Sequence, residues 1–264
     1  MSNAPQPKIS CFIVCCNEEH HIGRCIGSVA KWCSEVVVID SGSTDRTVEI
    51  ARDLGARVIH ERWRGFVEQK RLGLSHCSGD WVLNLDADEE VSPELAGEIV
   101  TVLGQAAPDV SGYELNRVVF FLGRWWRVGG WYPEYRLRLV RRDCAAWGGT
   151  NPHEHAVTKS GETARLTGEL RHYTYEDFAD QIKSLNAHSS TAAQSLIAAG
   201  YKATLADLLF RPLARFVKFY LTKGGYKEGS AGFIVGVHEA VYVFLKYSKV
   251  WEAGLRGAAP GIKR

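Results

Sequence analysis

The chain is expected to fold as an α/β protein: a mostly parallel sheet flanked by helices, followed by a helical extension. Two features predict this. Over residues 9–103, short apolar runs rich in β-branched residues alternate with stretches of helical spacing, and strand–helix repetition of that kind builds a parallel sheet covered by helices. From Tyr175 onward the apolar spacing turns helical to the end.

The elements follow in order. Ile9–Cys15 reads as a buried strand, broken by Asn17-Glu18-Glu19. His20–Trp32 carries Ile22, Cys25, Ile26 and Val29 at helical spacing. Glu35–Ile39 is a second buried strand ending at Asp40. The turn Ser41-Gly42-Ser43-Thr44-Asp45 follows, with Thr44 or Asp45 placed to cap a helix over Thr47–Leu54. Gly55 stops that helix, Ala56–His60 is a third strand, Phe66–Ser75 is helical, and Trp81–Leu85 is the fourth strand. Ser92 then caps a helix that has Pro93 at its first position and runs to Leu103. Asn17, Asp40 and Asp86 thus all fall at carboxyl ends of strands, where parallel sheets bind their ligands. From Gly112 the texture changes. Tyr113–Phe121 alternates as a strand, Gly123–Tyr135 is dense in Trp, Gly and Arg, Leu137–Arg141 is a further strand, and Arg171-His172 closes the region.

A length of 264 residues suits one large domain, or an ordinary domain with an appendage. A net charge of +2 supplies no field for nucleic acid. The seven cysteines include no Cys-x-x-Cys pair, which points to a reduced, cytosolic chain. Met1–Lys8 has no apolar signal core, and no apolar run is long enough to span a bilayer.

Asp86-Ala87-Asp88 is the most informative segment. Two carboxylates one residue apart, at the exposed end of a buried strand, suit Mg²⁺ or Mn²⁺ carrying a diphosphate. Taken alone, such a pair serves equally as turn chemistry.

Three segments change that balance: Ile13-Val14-Cys15-Cys16-Asn17-Glu18, Ile39-Asp40-Ser41-Gly42-Ser43-Thr44-Asp45, and Leu85-Asp86-Ala87-Asp88-Glu89. In this order and spacing they resemble the family 2 glycosyltransferases of GT-A fold. The resemblance implies a UDP-sugar donor and a divalent metal. It implies that Asp40 accepts from the N3–H of uracil and that Cys16, Asn17 and Glu18 hold base and ribose, although Glu18 also reads as a solvated helix-start acid. Asp86 and Ala87 would lie against the donor. Asp88 would hold the metal, with Asp86 on ribose or metal, and Gln69 and Lys70 would face the diphosphate. Glu89 and Glu90 read as acid preceding the helix at Pro93.

Farther on, Trp125-Trp126-Arg127-Val128-Gly129-Gly130-Trp131-Tyr132-Pro133, Arg136-Leu137-Arg138-Leu139 and Asn151-Pro152-His153-Glu154-His155 resemble the bacterial lipopolysaccharide core-biosynthesis β-glucosyltransferases of the WaaE/KdtX type. That implies an inverting transfer of a hexose, glucose, to a lipid-linked saccharide such as the lipopolysaccharide inner core. Glu154 becomes the general base for the acceptor hydroxyl. His155, or His153, completes the metal shell or orients Glu154. The Trp cluster reads either as core or, through Trp131 and Tyr132, as a platform that stacks on sugar, and Arg127, Arg136 and Arg138 would pair phosphates. Asn151-Pro152 departs from the Val-His-Glu expected at that loop. The implied domains are a catalytic domain over 1–174, with a nucleotide-sugar half (1–110) and an acceptor half (111–174), and a helical extension over 175–264.

In the extension, Leu209, Leu213, Phe216, Val217 and Tyr220 fall on one helical face and Arg211, Arg215 and Lys218 on another. Between Asp207 and Val250, seven Lys/Arg face three acids. A basic amphipathic helix pair reads either as contact with the inner face of the cytoplasmic membrane or as packing on the catalytic domain or another subunit of a homo-oligomer. Two rival functions stay open: transfer to a protein or to a capsular or exopolysaccharide acceptor, and nucleotide-sugar binding without turnover.

Overall fold

A computed structural model describes residues 7–105, 109–150 and 153–258, with side chains for all of these but 150, 153, 154 and 256–258. The chain divides into two compact units, Met1–Val119 with Pro133–Tyr173, and Phe120–Tyr132 with Thr174–Arg264. The Trp-rich segment Phe120–Tyr132 therefore groups with the helices, where the sequence places it with the first 174 residues.

The first unit opens with β1 (Ile9–Cys15), α1 (Ile22–Val29), β2 (Glu35–Asp40), α2 (Thr47–Asp53), β3 (Arg57–His60), α3 (Phe66–Ser75) and β4 (Trp81–Asp86), as the apolar runs predict. A short strand, β5 (Glu89–Val91), precedes α4 (Pro93–Gly104). Then come β6 (Val110–Phe121), β8 (Glu134–Arg141), β9 (Ala145–Thr150), β10 (His153–Thr158) and β11 (Glu162–His172), while β7 (Arg124–Trp126) falls in the second unit. The main sheet runs β3-β2-β1-β4-β8-β6-β11-β5. Its first four strands are parallel, and β8 joins β4 antiparallel. This is the α/β class expected, with helices on the sheet.

Packing explains the elements. α1 buries Ile22, Cys25, Ile26 and Val29 completely, which are the residues its 3.6-residue period puts on one face. α3 approaches the sheet at Gly73, where a Cβ would overlap the Phe12 ring. Ser92 caps α4 as expected, its Oγ accepting from the Leu95 N–H at 3.1 Å. α2 is capped from one residue farther out than usual: Asp45 accepts from the Thr47 N–H at 3.0 Å, with Arg46 between them.

Glu35 ties the start of β2 to its neighbours. It accepts from the Ser10 hydroxyl (2.5 Å), the Ser78 N–H (2.6 Å) and hydroxyl (2.7 Å), and Arg57 (3.3 Å). Burial pushes its carboxyl up, but these donors outweigh that and hold it at about 2, against an ordinary 4.5. A carboxyl depressed by folding adds stability above its unfolded pKa and loses it as pH falls toward the folded one. Glu35→Gln is therefore expected to flatten the stability loss between about pH 5 and pH 2, removing about 2–3 kcal/mol of it, as urea titrations across that range would read.

The second unit holds α5 (Phe178–Ala198), α6 (Leu205–Val217), a π-turn over Lys218–Thr222, a 3-10 turn over Gly225–Glu228, and α7 (Gly229–Ala258). α6 starts on a capping box between Thr204 and Asp207. Phe216 and Tyr220 stack at 5.3 Å, and Phe233 meets Phe216 edge-on at 5.7 Å. Two of the three cations expected to face outward are engaged inside this unit. Arg211 pairs with Asp207 and Arg215 with Glu239, both carboxylates being buried. α6 also exposes a row of apolar residues, Leu205, Leu209, Phe210 and Leu213, at 61, 58, 67 and 61%.

Candidate active site

Parallel strands bring three loops to one sheet edge, and each is locked by its own side chains. Asn17 adopts a left-handed conformation (φ 57°), which asparagine tolerates. Its Oδ1 accepts from the Thr44 N–H at 2.7 Å, and its own N–H donates to Ser43 Oγ at 2.9 Å, so the β1 and β2 loops are joined. Glu18 donates its N–H to Thr47 Oγ1 at 2.7 Å and pairs with His21 at 3.1 Å, while Cys16 is exposed on the same loop.

Asp40 is 1% exposed. It accepts from the Gly42 and Ser43 N–H groups (both 3.1 Å) and from His60 Nδ1 at 3.0 Å. Burial raises its carboxyl, yet the bonds from Ser43 and His60 lower it further, so it stays ionised. In this conformation Asp40 shapes the turn and is covered. Gln69, wholly buried, donates to Ser41 Oγ at 2.9 Å and leaves its Oε1 without a partner.

At the end of β4 the two carboxylates of Asp86-Ala87-Asp88 have separate surroundings. Asp86 meets Lys70 through Oδ1 and Arg138 through Oδ2, each at 2.5 Å. Burial raises its carboxyl, but Arg138 and then Lys70 outweigh that and hold it well below the usual carboxylate range. Both oxygens thus have cationic partners in this conformation. Glu89, 1% exposed, accepts from Arg138 at 2.6 Å and from the Asp86 N–H at 2.9 Å, so it is a strut of this turn rather than spare acid. Ala87 is buried between them.

Asp88 looks elsewhere. Its Oδ2 lies 3.1 Å from His172 Nε2, and its carbonyl accepts from the Tyr173 N–H at 2.9 Å. The register of β5 on β11 sets this up, with His172 opposite Glu89 and Arg171 opposite Glu90. The imidazole beside Asp88 is therefore that of His172, and not that of His155, which the sequence puts forward as the ligand. His155 lines a separate stretch of the site, a cleft of about 390 Å³ bounded by Lys70, Asn84, Asp86, Arg117, Arg136, Leu137, Arg138, Trp147 and Ala156. β10 carries Glu154 opposite Gly149 on β9; the Glu154 and His153 side chains, and Asn151-Pro152, lie outside the described residues.

Among the described residues no three His, Cys, Asp or Glu groups converge as a metal cage. One carboxylate and one imidazole 3.1 Å apart nonetheless fit two adjacent positions around an ion with ligands at about 2.1 Å, the spacing of an octahedral Mg²⁺-type site that completes its shell with phosphate oxygens and water. Asp88 and His172 are the pair that can hold it.

Trp131 belongs to the second unit. Its Nε1–H donates to Glu239 Oε1 at 3.1 Å, and its ring packs 5.6 Å from that of Trp126, which is fully buried. Trp131 itself is half-buried beside that ring.

The sheet edge gathers ionised carboxylates, cations and an imidazole at the carboxyl ends of parallel strands, as in an α/β transferase. Residues 10–159 match the family described as Glycosyl transferase family 2, and the chain belongs to that family. It is 31% identical over 98% of its length to the lipopolysaccharide core biosynthesis glycosyltransferase LpsC of Rhizobium meliloti (strain 1021), covering 97% of that protein. It is 33% identical to an uncharacterized glycosyltransferase, RT0209, of Rickettsia typhi, over 94% of this chain and 88% of that one. Among solved structures, glucosyl-3-phosphoglycerate synthase from Mycobacterium tuberculosis, in complex with Mn²⁺, UDP and glucosyl-3-phosphoglycerate, matches 42% of this chain and 44% of that one at 27% identity and a TM-score of 0.38.

Proposed function

We propose that this glycosyltransferase moves a hexose, glucose, from a UDP-sugar to a lipid-linked saccharide such as the lipopolysaccharide inner core, with inversion at the anomeric carbon. The observation that carries the donor half is the split environment of the Asp86-Ala87-Asp88 turn, with one carboxylate held by Lys70 and Arg138 and the other beside His172. The acceptor follows the lipopolysaccharide relative, which matches this chain end to end.

In this reading the joined loops at Asn17 and Asp40 receive the uridine, and Asp86 stays a fixed anion under the ribose side of the donor. Asp88 and His172 hold Mg²⁺ or Mn²⁺, which supplies positive charge against the diphosphate as it departs. Lys70 and Arg138 orient that same end of the donor. Glu154 takes the acceptor hydroxyl proton as the oxygen attacks the anomeric carbon from the opposite face. UDP release from a panel of UDP-sugars, with and without Mn²⁺ and a core oligosaccharide, tests the reading. Metal-dependent release from UDP-glucose that rises with acceptor is expected. Release that ignores both metal and acceptor would overturn it.

No helix among the described residues is long and apolar enough to cross a membrane. The exposed apolar row of α6 supports a peripheral seat on the cytoplasmic face of the inner membrane, where such acceptors are embedded. Because Arg211 and Arg215 are engaged internally, the apolar row is the better probe. Leu209, Phe210 and Leu213 to Ser are expected to weaken co-sedimentation with anionic vesicles about tenfold or more. Unchanged sedimentation would leave only the packing role for these helices.

A further inference from the structure

The parallel register of β2 on β3 sets His60, the last residue of β3, beside Asp40, the last residue of β2. His60 Nδ1 lies 3.0 Å from Asp40 Oδ2. On the other side of the ring, His60 Nε2 lies 3.0 Å from Nη2 of Arg52, in the last turn of α2. A guanidinium donates and never accepts, so Nε2 is the acceptor of that bond and carries no proton. The ring proton is therefore on Nδ1, where it is donated to the carboxylate. The geometry fixes His60 as a neutral imidazole of the Nδ1–H tautomer.

The His60 side chain is 57% exposed and that of Asp40 1%. An imidazole so exposed is not placed there to fill the core. What it adds is a donor to a covered carboxylate. Asp40 Oδ2 accepts from His60 and from the Gly42 N–H, and Oδ1 from the Ser43 N–H at 3.1 Å. Burial by itself favours the neutral acid. A neutral carboxyl can donate as well as accept, whereas an ionised one only accepts. The bond from His60 thus bears on which hydrogen-bonding sense the turn offers a ligand.

We infer that His60, with its tautomer set by Arg52, is a positioning residue that keeps Asp40 an acceptor-only group, so that the site prefers a pyrimidine with a proton on N3 over one without. The inference rests on the reading that the turn at Asp40 receives the uridine. Uracil donates from N3, and cytosine presents a lone pair there, which an ionised carboxylate repels. The test is calorimetric titration of UDP and of CDP, without added metal, into the wild type and four variants of the full chain. The wild type is expected to favour UDP, and His60→Ala to lower the UDP/CDP affinity ratio about tenfold or more, the scale of one hydrogen bond to a charged group. His60→Asn should restore most of the ratio, because its amide N–H stands where Nδ1–H stood. Arg52→Met, a change at an exposed position, should lower the ratio in the same direction while His60 stays in place. Nitrogen-15 NMR of the wild-type imidazole should show the proton on Nδ1. An Nε2–H tautomer, or equal losses of UDP and CDP affinity in His60→Ala, would overturn the inference even where Asp40→Asn changes the ratio. A ratio unmoved by Asp40→Asn would instead overturn the uridine seat, and the inference with it.

Discussion

Asp88→Ala is expected to lower turnover by at least about 10³-fold, a loss of about 4 kcal/mol in transition-state stabilisation. The fold should survive. The side chain of Asp88 is 27% exposed, its one described side-chain partner is His172, and the Tyr173 bond that anchors β5 to β11 uses the Asp88 carbonyl. What is lost is the only carboxylate of the turn not already committed to a cation. Asp86 already carries two cationic partners, Lys70 and Arg138. His172→Ala should follow the same direction with a smaller drop, since a water can replace a neutral nitrogen ligand more readily than a charge. The paired readout is Mn²⁺ affinity in the presence of UDP. Turnover and affinity should fall together in both variants. A fully active Asp88→Ala enzyme, or wild-type turnover undiminished by EDTA, would remove the metal from the account.

The second large effect concerns the base. Glu154→Gln keeps the volume and removes the basicity, so acceptor-dependent turnover is expected to fall by about 10²–10⁴-fold, with UDP-sugar binding unchanged by calorimetry. The backbone supports the choice: β10 carries Glu154 next to His155, which lines the cleft with Asp86 and Arg138. Normal turnover in the variant would put the base elsewhere, with Asp143 or a His of the same loop next to be tested. Collapse of donor binding would move Glu154 into the donor shell.

Most of the nucleotide-side half of the fold was legible in the sequence because its strands are buried on both faces. Ile9–Cys15, Glu35–Ile39 and Trp81–Leu85 read as continuous apolar runs, and the capped helix at Ser92-Pro93 bounded them. The second half was harder. β9, β10 and β11 mix Gly, Thr, Arg and Glu with few apolar residues, since these strands are only partly covered. β5 is three residues long and entirely acidic but for Val91, so no periodicity marks it. That short strand decides the chemistry, because its register on β11 carries His172 across 84 residues to Asp88. Without the register, His155 beside Glu154 looks the better ligand. The only sequence hint of His172 is its position at the close of an alternating stretch that buries Leu166 and Leu170.

The Trp cluster reads two ways in the sequence, as core or as a platform for sugar. Indoles on a Gly-rich segment suit sugar stacking, but Trp126 and Trp131 are drawn into a core completed by Phe219 and Glu239, which lie some hundred residues later. Likewise, helical spacing alone placed Arg211 and Arg215 on a free basic face. Asp207, four residues back, and Glu239 on α7 pair with them, and apolar side chains are exposed on the same helix.

The measurement that bears most directly on the central claim is calorimetric titration of UDP into the wild type and into His172→Ala, each with and without Mn²⁺. The account predicts that Mn²⁺ tightens UDP binding in the wild type and that His172→Ala loses most of that gain while its metal-free UDP affinity is unchanged. An equal metal effect in both proteins would contradict the assignment of His172 beside Asp88 as the seat of the cation.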